Sequence, residues 1–247
     1  SSTSRGLGDV YKRQIYYLSN ARLYAALEMA CLDIQGKATH RSVSDLLGGS
    51  VRDSIPMIAY LFWRYDRPDG KDDTCAEDLA DHCVELHETL GVQAMKLKAG
   101  VMAPDEEARV LELCRDRLGP GFGLRIDPNG LWSVPTAVRI GRRLEAVAPE
   151  YFEDPSWGLN GNAEVRKQIR IPIATNMYPA KFDDLAPAIR MGSVDIVLTD
   201  IHYWEGPRGV KDLAAVCRTF NLGVAMHSGA EFGIEPVSYT HLRAHET

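Results

Sequence analysis

The chain has 247 residues, 45% of them apolar and 25% charged, with a net charge of −6, which suits one large globular domain or one barrel. That mild acidity argues against nucleic acid or an anionic membrane as the main partner, and no apolar run approaches the length of a membrane span. The five cysteines (Cys31, Cys75, Cys83, Cys114 and Cys217) are odd in number and form no CxxC, so buried free thiols in a reducing, cytoplasmic compartment are expected.

The two ends carry a coding signal. Residues 4–14 read SRGLGDVYKRQ and residues 237–247 read VSYTHLRAHET. Back-translated with suitable codons, the second is the reverse complement of DNA that encodes the first. Both resemble the adaptor of a transposase-based sequencing library read in frame. Residues 1–14 and 237–247 are therefore expected to be adaptor-derived tails outside any fold reasoning. Native sequence then runs from Ile15 to Pro236 as an internal piece of a longer protein. On that reading Tyr11, Lys12, His241 and His245 carry no chemistry.

From the N-terminal side, ARLYAALEMACLDIQGK (21–37) carries apolar residues at helical spacing and is stopped by Gly36. A short helical SVSDLLGG follows. From residue 55 onward, apolar strand-like runs alternate with helical patterns. The runs are IPMIAYLF (55–62), VQAMKLK (92–98), GLRID (123–127), PEYFED (149–154), IPIAT (171–175), VDIVLTD (194–200) and LGVAMH (222–227). Such alternation predicts parallel βαβ units. Seven of them fit a (β/α) barrel about one unit short. A doubly wound open sheet is the alternative, but no Gly-rich phosphate turn follows the first strand, and nucleotide motifs are absent.

Polar residues close these runs at intervals of one strand-plus-helix unit: Lys96 and Lys98, then Asp127, Glu153, Asn176, Asp200 and His227. In a (β/α) barrel the C-terminal strand ends meet at one mouth, and charged residues rarely go inside unless paired or metal-bound. Asp127, Glu153 and Asn176 offer three hard oxygen donors from adjacent strands, which favours Mg²⁺ over zinc. Singly, each would read as a helix cap or turn residue. Lys96 and Lys98 share one face of their strand. Two close cations beside Mg²⁺ would lower a lysine pKa and make a base. Asp200, one unit before His227, is placed to hold one ring nitrogen of that histidine.

Taken together, KLKAG, LRIDPNGLWS, YFEDP, IATNM, TDIHYW and MHSG resemble the enolase superfamily, mandelate racemase subgroup, with a pattern like that of glucarate dehydratases. ALEMACLDIQGK and LLGG resemble the helix and turn entering that family's barrel. The resemblance implies an incomplete TIM-type barrel, an α/β fold lacking most of the N-terminal capping domain and the last barrel unit. Residues 15–50 would be a remnant of capping-domain linker helices and 51–236 a partial catalytic barrel. It implies Mg²⁺ on Asp127, Glu153 and Asn176, with Asp154 and Glu164 as neighbouring carboxylates that compete for the middle position. It makes Lys98 and His227 the two bases, Asp200 the partner of His227, and Lys96 the cation facing the substrate carboxylate. Tyr60, Asn129, Ser228 and Gly229 match substrate-contacting positions. The activity implied is dehydration of a small acid sugar of the glucarate or galactarate kind, within a homo-oligomer of the full-length protein. A racemase or epimerase on the same frame, a Schiff-base aldolase using Lys98, and an inert fragment are the alternatives. After MHS the chain reads GAEFGIEP, where the glucarate pattern is more polar.

Overall fold

The computed structural model describes residues 21–52, 54–64 and 72–227. In chain order it has helices α1 (Ala21–Thr39) and α2 (Val43–Leu46), strand β1 (Ala59–Leu61), α3 (Ala76–Leu90), β2 (Ala94–Lys98), α4 (Pro104–Leu118), β3 (Gly123–Asp127) and α5 (Val134–Leu144). A 3₁₀ turn at Glu145–Val147 leads to β4 (Tyr151–Glu153), α6 (Gly158–Arg166), β5 (Ile173–Thr175), α7 (Phe182–Met191), β6 (Ile196–Thr199), α8 (Gly206–Thr219) and β7 (Gly223–Met226). Among the described residues, no helix is long and apolar enough to cross a membrane. The described residues divide into two compact units, one drawn from 56–178 and 187–196, the other from 1–55, 179–186 and 197–227.

In the first unit, β1 to β5 pair in parallel in chain order. The register sets Lys96 against Arg125 and Arg125 against Tyr151, and sets Lys98 against Asp127. Because side chains alternate along a strand, each strand divides its chemistry between two faces. Met95, Leu97, Leu124, Ile126 and Phe152 are fully buried on one face, packed in a core with Leu79, Cys83, Leu111, Cys114, Ile140 and Leu144 from the helices. Each such apolar side chain contributes roughly 1.5–3 kcal/mol by leaving water. The lysines, Arg125, Asp127, Tyr151 and Glu153 take the other face.

The helices of this unit begin and end on local signals. Pro104 opens α4, with Asp105, Glu106 and Glu107 in its first turn and Arg115 and Arg117 in its last, matching the helix dipole. At α5 the Ser133 hydroxyl accepts from Thr136 N at 3.3 Å, and Arg142 and Arg143 close the helix. Gly91 ends α3 with φ of 70°, a left-handed cap that glycine adopts without strain.

In the second unit α1 lies along α8, burying Ala21, Ala25, Leu32 and Gly36. Glu28 accepts from Arg208 N at 3.1 Å in the first turn of α8. The outer side of α1 leaves Leu23, Tyr24, Leu27 and Ile34 exposed. His227 N donates to Thr199 O at 2.7 Å, joining the ends of β7 and β6.

Two predicted runs come out differently. Only Ala59–Leu61 of the 55–62 run is strand. Met57 is exposed, and the ladder to β2 starts at Ala59, so the earlier residues have neither a partner nor a buried face. The helical pattern NAEVRKQI (162–169) predicts a helix there, and the observed one starts earlier, at Gly158, and stops at Arg166; Pro172 disfavours helix just before it. All five cysteines are free, but Cys31 is exposed and Cys75 half-buried, so only three of them are core thiols.

Candidate active site

Three carboxylates gather at the strand ends of the first unit. Ligand atoms of Asp127, Glu153 and Asp154 all lie within 4.8 Å of one another, and all three residues are fully buried. Like charges so close in a dry site repel strongly. Two lysines answer part of that charge. Lys96 Nζ donates to Glu153 Oε2 at 2.7 Å. Lys98 Nζ donates to Asp127 Oδ2 and to Asn129 Oδ1, the latter at 2.9 Å. Asn129 N donates to Asp127 Oδ1 at 2.8 Å, with Asn129 in the left-handed region at φ of 52°, which asparagine tolerates better than most residues. Tyr60 lies beneath both ammonium groups, its ring centroid 4.9 Å from Lys96 Nζ and 5.8 Å from Lys98 Nζ.

Among side chains alone, the carboxylates dominate the lysine electrostatics. Burial pulls Lys98 down, but Asp127, Tyr60 and Glu153 outweigh it and hold the group above its ordinary value. Lys96 is likewise raised, burial being outweighed by Glu153 and Asp127. Each lysine faces a carboxylate, and the lowering expected beside Mg²⁺ belongs to the site with that charge added.

With all three ionised, three carboxylates against two lysines would leave the cluster one negative charge in excess. Asp154 shows the consequence: burial, then Asp127 and Glu153, push it up to about 8, against the lowering hydrogen bonds from Thr175 and Asn176. A cation would relieve the same excess. Asn176 is buried and its Oδ1 makes no hydrogen bond, a condition that costs roughly 1–3 kcal/mol unless a partner arrives. Hard carboxylate and amide oxygens suit Mg²⁺ or a similar ion. The donor set therefore fits a divalent cation.

Asp200 and His227 belong to the second unit. Asp200 Oδ2 lies 3.0 Å from His227 Nδ1, and Asp200 Oδ1 accepts from His202 N at 2.8 Å. A carboxylate on Nδ1 favours the tautomer that leaves Nε2 without a proton. Ser228 and Gly229 lie outside the described residues. Glu164, the competing carboxylate in sequence, is exposed and paired with Lys167 at 2.7 Å, which removes it from the cluster.

Two structural carboxylates escaped the sequence reading. Asp154, in sequence only a competitor for the middle ligand position, ties the end of β4 to the turn after β3 and to the end of β5. Glu107, read as part of an ordinary helix, is fully buried. It accepts from Gly100 N and Val101 N at 2.8 Å and from Met102 N at 2.9 Å, which pins the loop leaving Lys98. Its only sequence signal is an acidic residue in the first turn of a helix, too common to single out.

Parallel strands alternating with helices, and a buried oxygen cluster at the strand ends whose chemistry would suit a cation, define an α/β protein of the (β/α)-barrel class. Within that class, the enolase C-terminal domain-like family matches residues 78–246, and the chain belongs to that family. It is 42% identical over 229 residues to a protein named "Probable glucarate dehydratase" from Streptomyces coelicolor, covering 89% of this chain and 53% of that one. The crystal structure of an enolase from Mycobacterium smegmatis complexed with tartrate superposes with a TM-score of 0.85 at 42% identity, over 90% of this chain and 54% of that one. One from Thermobispora bispora, complexed with magnesium and formate, gives 0.84 at 40% identity, over 91% and 54%. The fold is thus an incomplete (β/α) barrel of the enolase kind, and the chain spans about half the length of the relatives it matches.

Proposed function

We propose that this chain carries the catalytic centre of a Mg²⁺-dependent dehydratase of a glucarate- or galactarate-like acid sugar, of the mandelate racemase subgroup, and that the activity belongs to a longer protein containing residues 15–236. The observation that carries this reading is the buried Asp127–Glu153–Asn176 donor set flanked by Lys96 and Lys98. Asn176 in place of a third carboxylate leaves the site less negative, which suits a dianionic substrate. The relative named probable glucarate dehydratase supports the substrate class, as does the L-talarate/galactarate dehydratase of Salmonella typhimurium at 27% identity.

An ion held by Asp127, Glu153 and Asn176 would supply Lewis-acid charge for a substrate carboxylate. Lys96 adds a fixed ammonium that offsets negative charge as it moves onto the carboxylate oxygens. Tyr60 and Asn129, with Ser228 and Gly229, contact the sugar chain. Lys98 Nζ or His227 Nε2 takes the α-proton, according to the stereochemistry at that carbon. The electron pair left behind forms the Cα–Cβ double bond as the β-hydroxyl departs. His227 gives that leaving oxygen a proton, so water is released, and the enol product tautomerises to a keto-deoxy acid. Asp200 keeps His227 in the required tautomer.

The test is product analysis on the longer protein with a panel of acid sugars. His227→Asn and Lys98→Ala should each abolish formation of the keto-deoxy acid while Mg²⁺ binding survives. Unchanged turnover in both variants removes the assignment. A relative at 28% identity is named D-galactarolactone cycloisomerase, so isomerisation is the competing chemistry on this frame; an isomer in place of a keto-deoxy acid would select it.

A further inference from the structure

We infer that Asp154 is not a ligand of the ion but the positioning residue for Asn176, acting through Thr175. This rests on the reading above that Asp127, Glu153 and Asn176 hold the ion.

Distance alone would admit Asp154 to the coordination sphere, since its carboxylate lies within 4.8 Å of both Asp127 and Glu153. Its hydrogen bonds give it other work. Asp154 Oδ1 accepts from the Thr175 hydroxyl and, at 3.4 Å, from Asn162 Nδ2. Asp154 Oδ2 accepts from the Asn176 backbone N at 3.1 Å. Thr175 Oγ1 accepts in turn from Met177 N at 3.0 Å and from Tyr178 N at 2.8 Å. Both lone pairs of that hydroxyl are thereby used, so its proton has to go to Asp154. Asp154 must present acceptors in both directions, which a carboxylate does and an amide does not.

The backbone of Asp154 extends the same function. Its N donates to Ala174 O at 2.9 Å, and its O accepts from Gly130 N at 2.7 Å. Asp154 holds φ of 38°, an uncommon left-handed conformation for a non-glycine residue. One residue thus ties the end of β4 to the turn after β3 and to the end of β5. Asn176, whose backbone it grips, is the donor whose side-chain oxygen is buried without a partner. A side chain that orients a ligand in this way usually contributes a factor of about 10–100 to metal affinity.

The experiment is Mn²⁺ titration of the 247-residue chain followed by electron paramagnetic resonance, so that no turnover is needed. Asp154→Asn and Thr175→Val should each weaken Mn²⁺ binding about tenfold or more. Thr175→Ser, which keeps the hydroxyl, should bind as the unaltered chain does. With Asn176→Ala already in place, Asp154→Asn should bring no further loss, because the residue through which it acts is gone. Two results overturn the assignment: full affinity in Thr175→Val alongside a loss in Asp154→Asn, or a tenfold loss from Asp154→Asn that persists in the Asn176→Ala background. The first would remove Thr175 from the route between Asp154 and Asn176; the second would make Asp154 a direct ligand. An unaltered chain that binds no Mn²⁺ would instead remove the metal-site reading, and this inference with it.

Discussion

Replacing Glu107 should be among the most damaging single changes outside the carboxylate cluster. Its carboxylate is the partner of three backbone N–H groups in the loop that leaves Lys98: Val101 and Met102 on Oε1, Gly100 on Oε2. Glu107→Ala would strand all three. A buried donor without a partner costs about 1–3 kcal/mol, so a loss of at least ~3 kcal/mol is expected even if water enters the vacated space. For a chain of this size that is a fall of roughly 6–12 °C in Tm. Glu107→Gln keeps the oxygen serving Val101 and Met102 and turns an NH₂ group toward Gly100 N alone, so it should cost about a third as much. Urea unfolding of the three proteins measures the ranking. Equal damage from Gln and Ala, or an Ala variant within ~0.5 kcal/mol of the parent, a typical surface-substitution effect, would refute the claim that the loop hangs on this carboxylate. The pH dependence gives a second check. Burial raises the Glu107 carboxyl above its ordinary 4.5, against the lowering pull of the three N–H groups. Just above 4.5 the folded chain therefore holds more protons than the unfolded one. Stability should fall as pH rises through that window and level off above it, and Glu107→Gln should lack this slope.

Lys96→Met would leave Glu153 buried beside two other carboxylates with its ammonium gone. Without metal this should destabilise by about 3–5 kcal/mol, and saturating Mg²⁺ should recover part of the loss in thermal unfolding; equal losses with and without Mg²⁺ would contradict a shared site. Gly100→Ala should cost more than ~1 kcal/mol, because Gly100 has φ of 81° and a Cβ there would come within 2.9 Å of Pro128 O; denaturant midpoints give the answer. On α1, Leu27→Glu with Ile34→Lys should raise solubility without lowering Tm, since both side chains are exposed, at 57% and 65%; light scattering and melting curves test this, and a lowered Tm would mean that the face is packed.

What the sequence disclosed, and what it hid, follows from physical range. The strand–helix alternation was legible because period-two and helical patterns are local properties of Met95, Leu97, Leu124 and Ile126 or of 104–118. So was the series Lys98, Asp127, Glu153, Asn176, since strand ends recur once per βα unit. The first strand was overread because Ile55 to Ile58 look apolar while nothing in the sequence says that their ladder begins only at Ala59. Asp154 and Glu107 were hidden for a different reason. Their roles come from hydrogen bonds to Thr175, Asn176, Asn162 and Gly100 that exist only once strands and loops have met. The carboxylate that each lysine meets was hidden likewise, because the sequence shows only the two ammonium groups side by side.

The central claim, that Asp127, Glu153 and Asn176 hold one divalent ion, is tested most directly by a crystal structure of the chain grown with Mg²⁺. The account predicts a single ion with Oδ of Asp127, Oε of Glu153 and Oδ1 of Asn176 at about 2.0–2.1 Å, water completing the octahedron, and Asp154 still bonded to Thr175 and Asn176. An ion bound elsewhere, or none at saturating Mg²⁺ with Lys96 and Lys98 still paired to the carboxylates, would contradict it.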